Sequence, residues 1–491
     1  MQYESIPRFP GGEGFFGHAR EIQRDRLGFV KRLASTPLAL QRLESELGIP
    51  VCIVNDPALV HELLVERAGV FQKSNVLRFS LYPLAGEGLF TANGELWKRQ
   101  RRRMAPLFHP AQLERYAGDM VSVTSRAMAG WADGQTVEVA REMTRITMGV
   151  AGKALFDTDT FDEADALGRA LTVALEWTAD NAPSPLALLH ILPRQYMRLA
   201  AEVLPDKLSA LLRRVADRLE GPVVLPGSDG RALREAIAVL DARVQRMIDL
   251  RRASPTSVTS PEAPKDLLSR LLAARDEDGS RMSDKQVRDE VLTLFVAGHE
   301  TTAAGLSWAL YLLARHPRIQ EAIEREVDAI GAEPTARDLP RLGLSLRVFK
   351  EALRLYPPVY IFARQASSNT TLGGYPMARL TVALVSPYAL HHRADLWPDP
   401  ERFDPERFLP EAEAVRSRLS WMPFGAGPRV CIGNHFAMME GQLVLARLLH
   451  RFRFERGPDT PPDPGATLRP TGPMPVRVTL RHGGPLPTWR P

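Results

Sequence analysis

The sequence predicts a mainly α-helical fold with minor β structure, and three observations carry that prediction. Most of the 491 residues read as helical runs punctuated by Pro and Gly, which number 40 and 35. The β-prone pieces are short: Val51–Val54, Thr381–Ser386 and Val476–Arg481. One segment, from about Asp284 to Ala314, has the length and apolar character of a buried core helix. No internal repeat is present.

An apolar share of 44% and a charged share of 25% are those of a globular chain, so a sizeable core is available. At about 150 residues per domain, this length allows about three domains or one unusually large one. Ser254–Lys265, rich in Ser and Pro, is the best linker candidate and reads more readily as a surface loop; Gly221–Gly230 is a second loop. A net charge of +5 on such a chain does not predict nucleic-acid binding. Two cysteines, Cys52 and Cys431, exclude a disulfide scaffold and a cysteine-only zinc or iron–sulfur site. Met1–Gly17 has no apolar run after basic residues, which predicts neither signal peptide nor membrane anchor and a cytoplasmic location.

In the long helix, the 24 residues between Glu290 and Arg315 hold His299 and Glu300 as their ionisable members, apart from the weakly acidic Tyr311. The run spans about 36 Å, but its two apolar halves are each too short to cross a bilayer. A mid-helix carboxylate in a core costs several kcal/mol unless compensated. Glu300 is either salt-bridged to a neighbouring helix or placed for chemistry beside Ala297, Gly298, Thr301 and Thr302, with Gly298 letting another body approach the backbone. A zincin would need a second His at 303, where Ala stands.

Around Cys431 the chain reads Phe424-Gly-Ala-Gly-Pro-Arg-Val-Cys-Ile-Gly433, a tight loop feeding a helical pattern to about Arg453. The helix N-terminal field and unpaired N–H groups lower a thiol pKa there. Gly427 and Gly433 allow close approach to the sulfur, and Phe424 can shield it. Such a thiolate suits a metal ligand or a nucleophile, against the alternative of an inert buried thiol.

Phe424, Gly427, Arg429, Cys431 and Gly433 match F-x-x-G-x-R-x-C-x-G, and on them the chain resembles the cytochrome P450 family. Further segments resemble that family in order: Trp97-Lys-Arg-Gln-Arg101, Ala297-Gly-His-Glu-Thr301-Thr302, Glu351-Ala-Leu-Arg354 and Pro405-Glu-Arg-Phe408. The resemblance implies a single domain over residues 1–491, a triangular helical prism with small β-sheets around a buried haem b, with 254–265 as a surface loop. It implies Cys431 as the axial thiolate and metal ligand. Trp97, Arg101, Arg364, Phe424, Arg429 and Gly433 would bind the cofactor. Glu300 would be a proton source and Thr301 a hydrogen-bond partner of bound peroxide in O2 activation. Glu351, Arg354 and Arg407 would form a structural network fixing the thiolate loop.

The implied activity is that of a monooxygenase inserting one atom of O2 into a C–H or double bond. A peroxide-driven hydroxylase or decarboxylase is the alternative, less favoured because such members commonly lose the acid–hydroxyl pair; a non-enzymatic haem binder would not need that pair. Electrons would come from NAD(P)H through a ferredoxin or flavodoxin with its reductase, docking on the basic run Lys98, Arg99, Arg101, Arg102 and Arg103 of a monomer. By position, Leu77, Phe79, Tyr82, Ala297, Val359, Tyr360, Ile361 and Met474 are the pocket candidates, all apolar or aromatic. They imply a hydrophobic substrate: a fatty acid first, by the A-G-H-E-T-T string and the Arg of the thiolate loop, with terpenoids or polyketides close behind. The stretch Leu188–Leu240 is long for a connection between lid helices.

Overall fold

The computed structural model describes residues 3–12, 17–36, 38–44, 50–181, 204–218, 227–253, 266–275 and 281–481, with residues 197, 200 and 279. Ser254–Lys265 and part of the 188–240 stretch lie outside the described residues. Of the second expected loop, 221–226 also lie outside, whereas Ser228–Gly230 already open the helix Ser228–Ala253.

Helices dominate, as predicted, and the long helix runs Asp284–Arg315. Ser283 starts it by accepting the Gln286 amide at 3.2 Å, a hydroxyl cap for an otherwise orphaned N–H. Pro317 begins the next helix directly after it, because proline cannot continue the hydrogen-bond ladder. Its main packing partner is the helix Val139–Phe156, where Phe156 stacks on Phe295 with centroids 4.8 Å apart. Around these two lie the helices Pro110–Met128, Ala164–Asn181, Gly343–Leu355 and Asn434–Arg451, whose apolar faces merge into the principal core. Among the described residues, no helix is long and apolar enough to cross a membrane.

The three predicted β pieces are strands at Val51–Val54, Val382–Val385 and Pro475–Leu480. A five-stranded sheet takes the order Leu40–Leu43, Val51–Val54, Val382–Val385, Phe362–Ala366, Phe71–Lys73. Only the Val51–Val54 and Val382–Val385 pair is parallel. Phe452–Phe454 leaves the expected last helix, which ends at Arg451, and joins Pro475–Leu480 and Thr136–Glu138 in a three-stranded sheet. A hairpin of Pro462–Pro464 and Leu468–Pro470 reaches back to the long helix, where Trp308 Nε1 donates to the Leu468 carbonyl at 3.1 Å.

Candidate active site

Cys431 sits between a glycine-rich turn and the helix Asn434–Arg451, and its amide donates to the Phe424 carbonyl at 2.9 Å. Gly427 holds φ at 70°, and a Cβ there would lie 1.9 Å from the Leu64 carbonyl oxygen, so only glycine fits. Gly433 would meet only Phe108, at 3.8 Å. The expected close approach to the sulfur holds for Gly433, whose N–H reaches the thiol, and is corrected for Gly427, which makes room for a neighbouring backbone. The expected fall in thiol pKa is corrected too. Burial pushes Cys431 up, against the opposing pull of the Gly433 N–H, Arg101 and Lys73, because desolvation outweighs the helix-terminal field. Cys431 nevertheless keeps accessible surface, so the thiol opens on an interior space.

Four cations border that space. Arg101 donates to the Val430 carbonyl at 3.0 Å. Arg429 donates to the Ala92 carbonyl at 3.0 Å and to Asn93 Oδ1 at 2.8 Å, and its guanidinium lies 4.2 Å from the Trp97 ring centroid. Arg364 is paired across the sheet with Lys73, two like charges side by side where such pairs are destabilising. Lys73 Nζ donates to the Phe90 carbonyl. Among the described residues, no carboxylate forms an ion pair with any of the four. Burial lowers Arg364 to about 10, and burial with the Arg364 charge lowers Arg429 to about 10. Burial, then Arg364 and Arg429, holds Lys73 well below its ordinary value. A buried cationic cluster without anions calls for an anionic ligand. Two carboxylates over a single thiolate ligand are the donor pattern of iron protoporphyrin IX, so the residues present fit haem.

Asn93 precedes the helix Gly94–Met104, yet its side chain does not cap it. It accepts instead from Arg429 and from the Lys73 amide at 3.3 Å, and donates to the Lys73 carbonyl at 3.1 Å. Lys73 and Asn93 escaped the sequence reading because they stand outside any motif; only the fold brings their segments to the arginines.

Behind the loop, Glu351 and Arg354 are fully buried and bidentate, at 2.7 and 2.9 Å. Glu351 also accepts the Asp404 amide at 3.0 Å, and Arg407 Nε lies 3.5 Å from its carboxylate. Arg354 donates to the His391 carbonyl at 2.8 Å, while the His391 ring bonds the Arg354 carbonyl at 3.1 Å and accepts the Met422 amide at 2.9 Å. Burial keeps His391 neutral, well below its ordinary value. Its Nδ1 therefore donates and its Nε2 accepts, linking the ion pair to the start of the thiolate loop. The sequence reading missed this histidine; the His391–His392 doublet was its one visible signal.

On the long helix, the Thr301 hydroxyl donates to the Ala297 carbonyl at 2.8 Å, and Ala297 is exposed between the half-buried Val296 and Gly298. His299 turns into the core, bonding the Phe295 carbonyl at 2.9 Å and lowered to about 4 by burial. Among the described residues Glu300 forms no ion pair, so the salt-bridged reading fails; it accepts from the Thr467 hydroxyl at 2.8 Å. Burial raises its carboxyl above the ordinary range.

The pocket candidates are spread over several packing clusters. Leu77 packs beside the main core, and Phe79 is buried in a small cluster with Val76. Lys285 Nζ lies 5.6 Å from the Tyr82 ring centroid, and Val359 is half-buried. Met474, 1% exposed, is packed in the main core. Tyr360 and Ile361 belong to a separate cluster with Phe9 and Phe29, and the Tyr360 hydroxyl donates to the Pro464 carbonyl at 2.9 Å.

A sequence model described as cytochrome P450 matches residues 10–476. Cyclooctatin synthase of Streptomyces melanosporofaciens is 36% identical over 466 residues, covering 94% of this chain and 91% of that protein. Pentalenene oxygenase of Streptomyces avermitilis is 32% identical over 474 residues, covering 96% of each. In structure, the haem domain of cytochrome P450DA is similar with a TM-score of 0.78 at 28% identity, covering 97% of this chain and 98% of that one.

Proposed function

We propose, from the premise that this chain belongs to the cytochrome P450 family and is a monooxygenase, that Cys431 is its iron ligand and an apolar terpenoid its substrate. The observation that carries the first half is the unpaired cationic cradle of Lys73, Arg101, Arg364 and Arg429 beside Cys431. When bound, haem supplies the iron at which O2 is activated. Lys73, Arg101, Arg364, Arg429 and Trp97 would hold its carboxylates, and the Gly433 N–H would support the thiolate. Glu300 would hold a proton for delivery, and the Thr301 hydroxyl would offer a hydrogen bond at the Ala297 face.

The names of the bacterial relatives favour a terpenoid over the fatty acid that the sequence motifs alone put first. Lys98, Arg99 and Arg102 are exposed on the helix whose Arg101 grips the thiolate loop, which supports docking of an acidic ferredoxin or flavodoxin there. Lys98 is also paired with Glu95 at 2.7 Å. The test is turnover of a terpenoid and fatty-acid panel with NAD(P)H, reductase and ferredoxin, against turnover with peroxide. Hydroxylated terpenoid with the donor system, at a rate falling steeply with salt, is the expected result. Product only with peroxide, or only from fatty acids, would overturn it.

A further inference from the structure

We infer that Thr467 is a positioning residue for Glu300, and that the hairpin carrying it ties this acid to the C-terminal end of the helix Ala164–Asn181. The inference deepens the monooxygenase reading and rests on it.

Thr467 is buried, and its hydroxyl hydrogen bond to Glu300 Oε1 bridges 167 positions of sequence at 2.8 Å. Thr301 is not available for that task, since its own hydroxyl is given to the Ala297 carbonyl. The hairpin is held in place by its surroundings. Trp308, two helical turns past Glu300, donates to the Leu468 carbonyl at 3.1 Å, and the Leu468 amide donates to Pro358 at 2.9 Å. Tyr360 holds the turn through the carbonyls of Pro464 and Gly465, at 2.9 and 3.1 Å.

Two residues beyond Thr467, Arg469 pairs with Glu176 of the helix Ala164–Asn181 and with Asp463 at 3.3 Å. Arg26 supplies a second tie, donating to Asp180 Oδ1 and the Ala179 carbonyl at 3.1 Å each and to the Pro464 carbonyl at 3.3 Å. Helix end, hairpin and acid thus form one connected chain of contacts. The charged groups acting on Glu300 are Arg469, which favours its carboxylate, and Glu176, which favours its protonated form. With the helix end seated, Glu176 and Asp463 both pair with Arg469, and burial favours the protonated form of Glu300.

Thr467→Val keeps the shape and removes the hydroxyl. The expected result is an unchanged haem spectrum, a severalfold loss of product per NAD(P)H with matching peroxide release, and recovery in Thr467→Ser. The lost bond had favoured the carboxylate, so the alkaline limb of coupled turnover moves to higher pH in Thr467→Val. In Glu176→Gln it moves to lower pH. In the resting protein, the infrared carbonyl band assigned to Glu300 by its absence in Glu300→Gln shifts to higher frequency in Thr467→Val. Wild-type coupling, pH limb and carbonyl band in Thr467→Val would overturn the inference. A wild-type protein that forms no product with the donor system would overturn the monooxygenase reading instead, and the infrared band would still decide the role of Thr467.

Discussion

The thiolate side and the acid side of this site are built to opposite standards. Cys431 is framed by redundant contacts: the buried Glu351–Arg354 pair and His391 bridge to Met422, and the part-buried Arg101, Arg429 and Asn93 bonds. Glu300 is held by one hydroxyl, on a hairpin whose ties to the helix Ala164–Asn181 run through exposed carboxylates, Glu176 and Asp180. Exposed ion pairs contribute roughly 1 kcal/mol or less, whereas breaking a buried pair costs about 3–5 kcal/mol. A metal ligand must keep its place through every turnover. An acid that gives up and regains a proton must be adjustable. Contact strength follows that division of labour.

The largest effect should come from Glu351→Ala. It strands Arg354, fully buried, without its partner, at about 3–5 kcal/mol, and haem incorporation should be lost. Normal holoprotein yield would break the contrast between the two sides. On the acid side, Thr301→Ala should keep the haem and divert NAD(P)H to peroxide; unchanged coupling would remove Thr301 from proton delivery. Lys73→Met should leave the fold intact but loosen the cofactor. Losing one charge-assisted bond of about 1.5–3 kcal/mol corresponds to roughly 10- to 100-fold faster haem transfer to apomyoglobin. A wild-type transfer rate would exclude Lys73 from the cradle.

The smallest effect, taken per pH unit, is a pH slope. Glu290, buried on the long helix, accepts the Leu89 amide at 2.9 Å and is pushed up to about 8 by burial. A carboxyl raised in the folded state contributes its stability below its unfolded value, and that contribution is lost as pH rises through about 8. Stability, followed as melting temperature, should therefore fall between about pH 5 and pH 8, by no more than about 1.4 kcal/mol per pH unit, and Glu290→Gln should flatten that slope. An identical slope in the variant would assign it elsewhere.

The thiolate side was legible in the sequence because its parts are local. The loop around Cys431, the Glu351–Arg354 spacing and the Trp97–Arg101 helix each announce themselves within ten residues. The long helix and three strands were legible for the same reason, through composition and period. What stayed hidden depends on tertiary approach. Lys73 meets Arg364 only through strand pairing, and Thr467 meets Glu300 only because the hairpin folds back across the long helix. Met474 and Tyr360 were read as pocket residues from position, but an apolar side chain carries no mark of which cavity or core it will face. The balance at Cys431 was likewise out of reach, since desolvation is a property of the fold.

The most direct test of the account is the carbon-monoxide difference spectrum of the reduced holoprotein, with Cys431→Ser as its control. A strongly red-shifted Soret band in the wild type and its loss in the variant are predicted. A band at the position of neutral ligation in the wild type would contradict the assignment of Cys431 as the thiolate ligand, and with it the cradle built around that ligand.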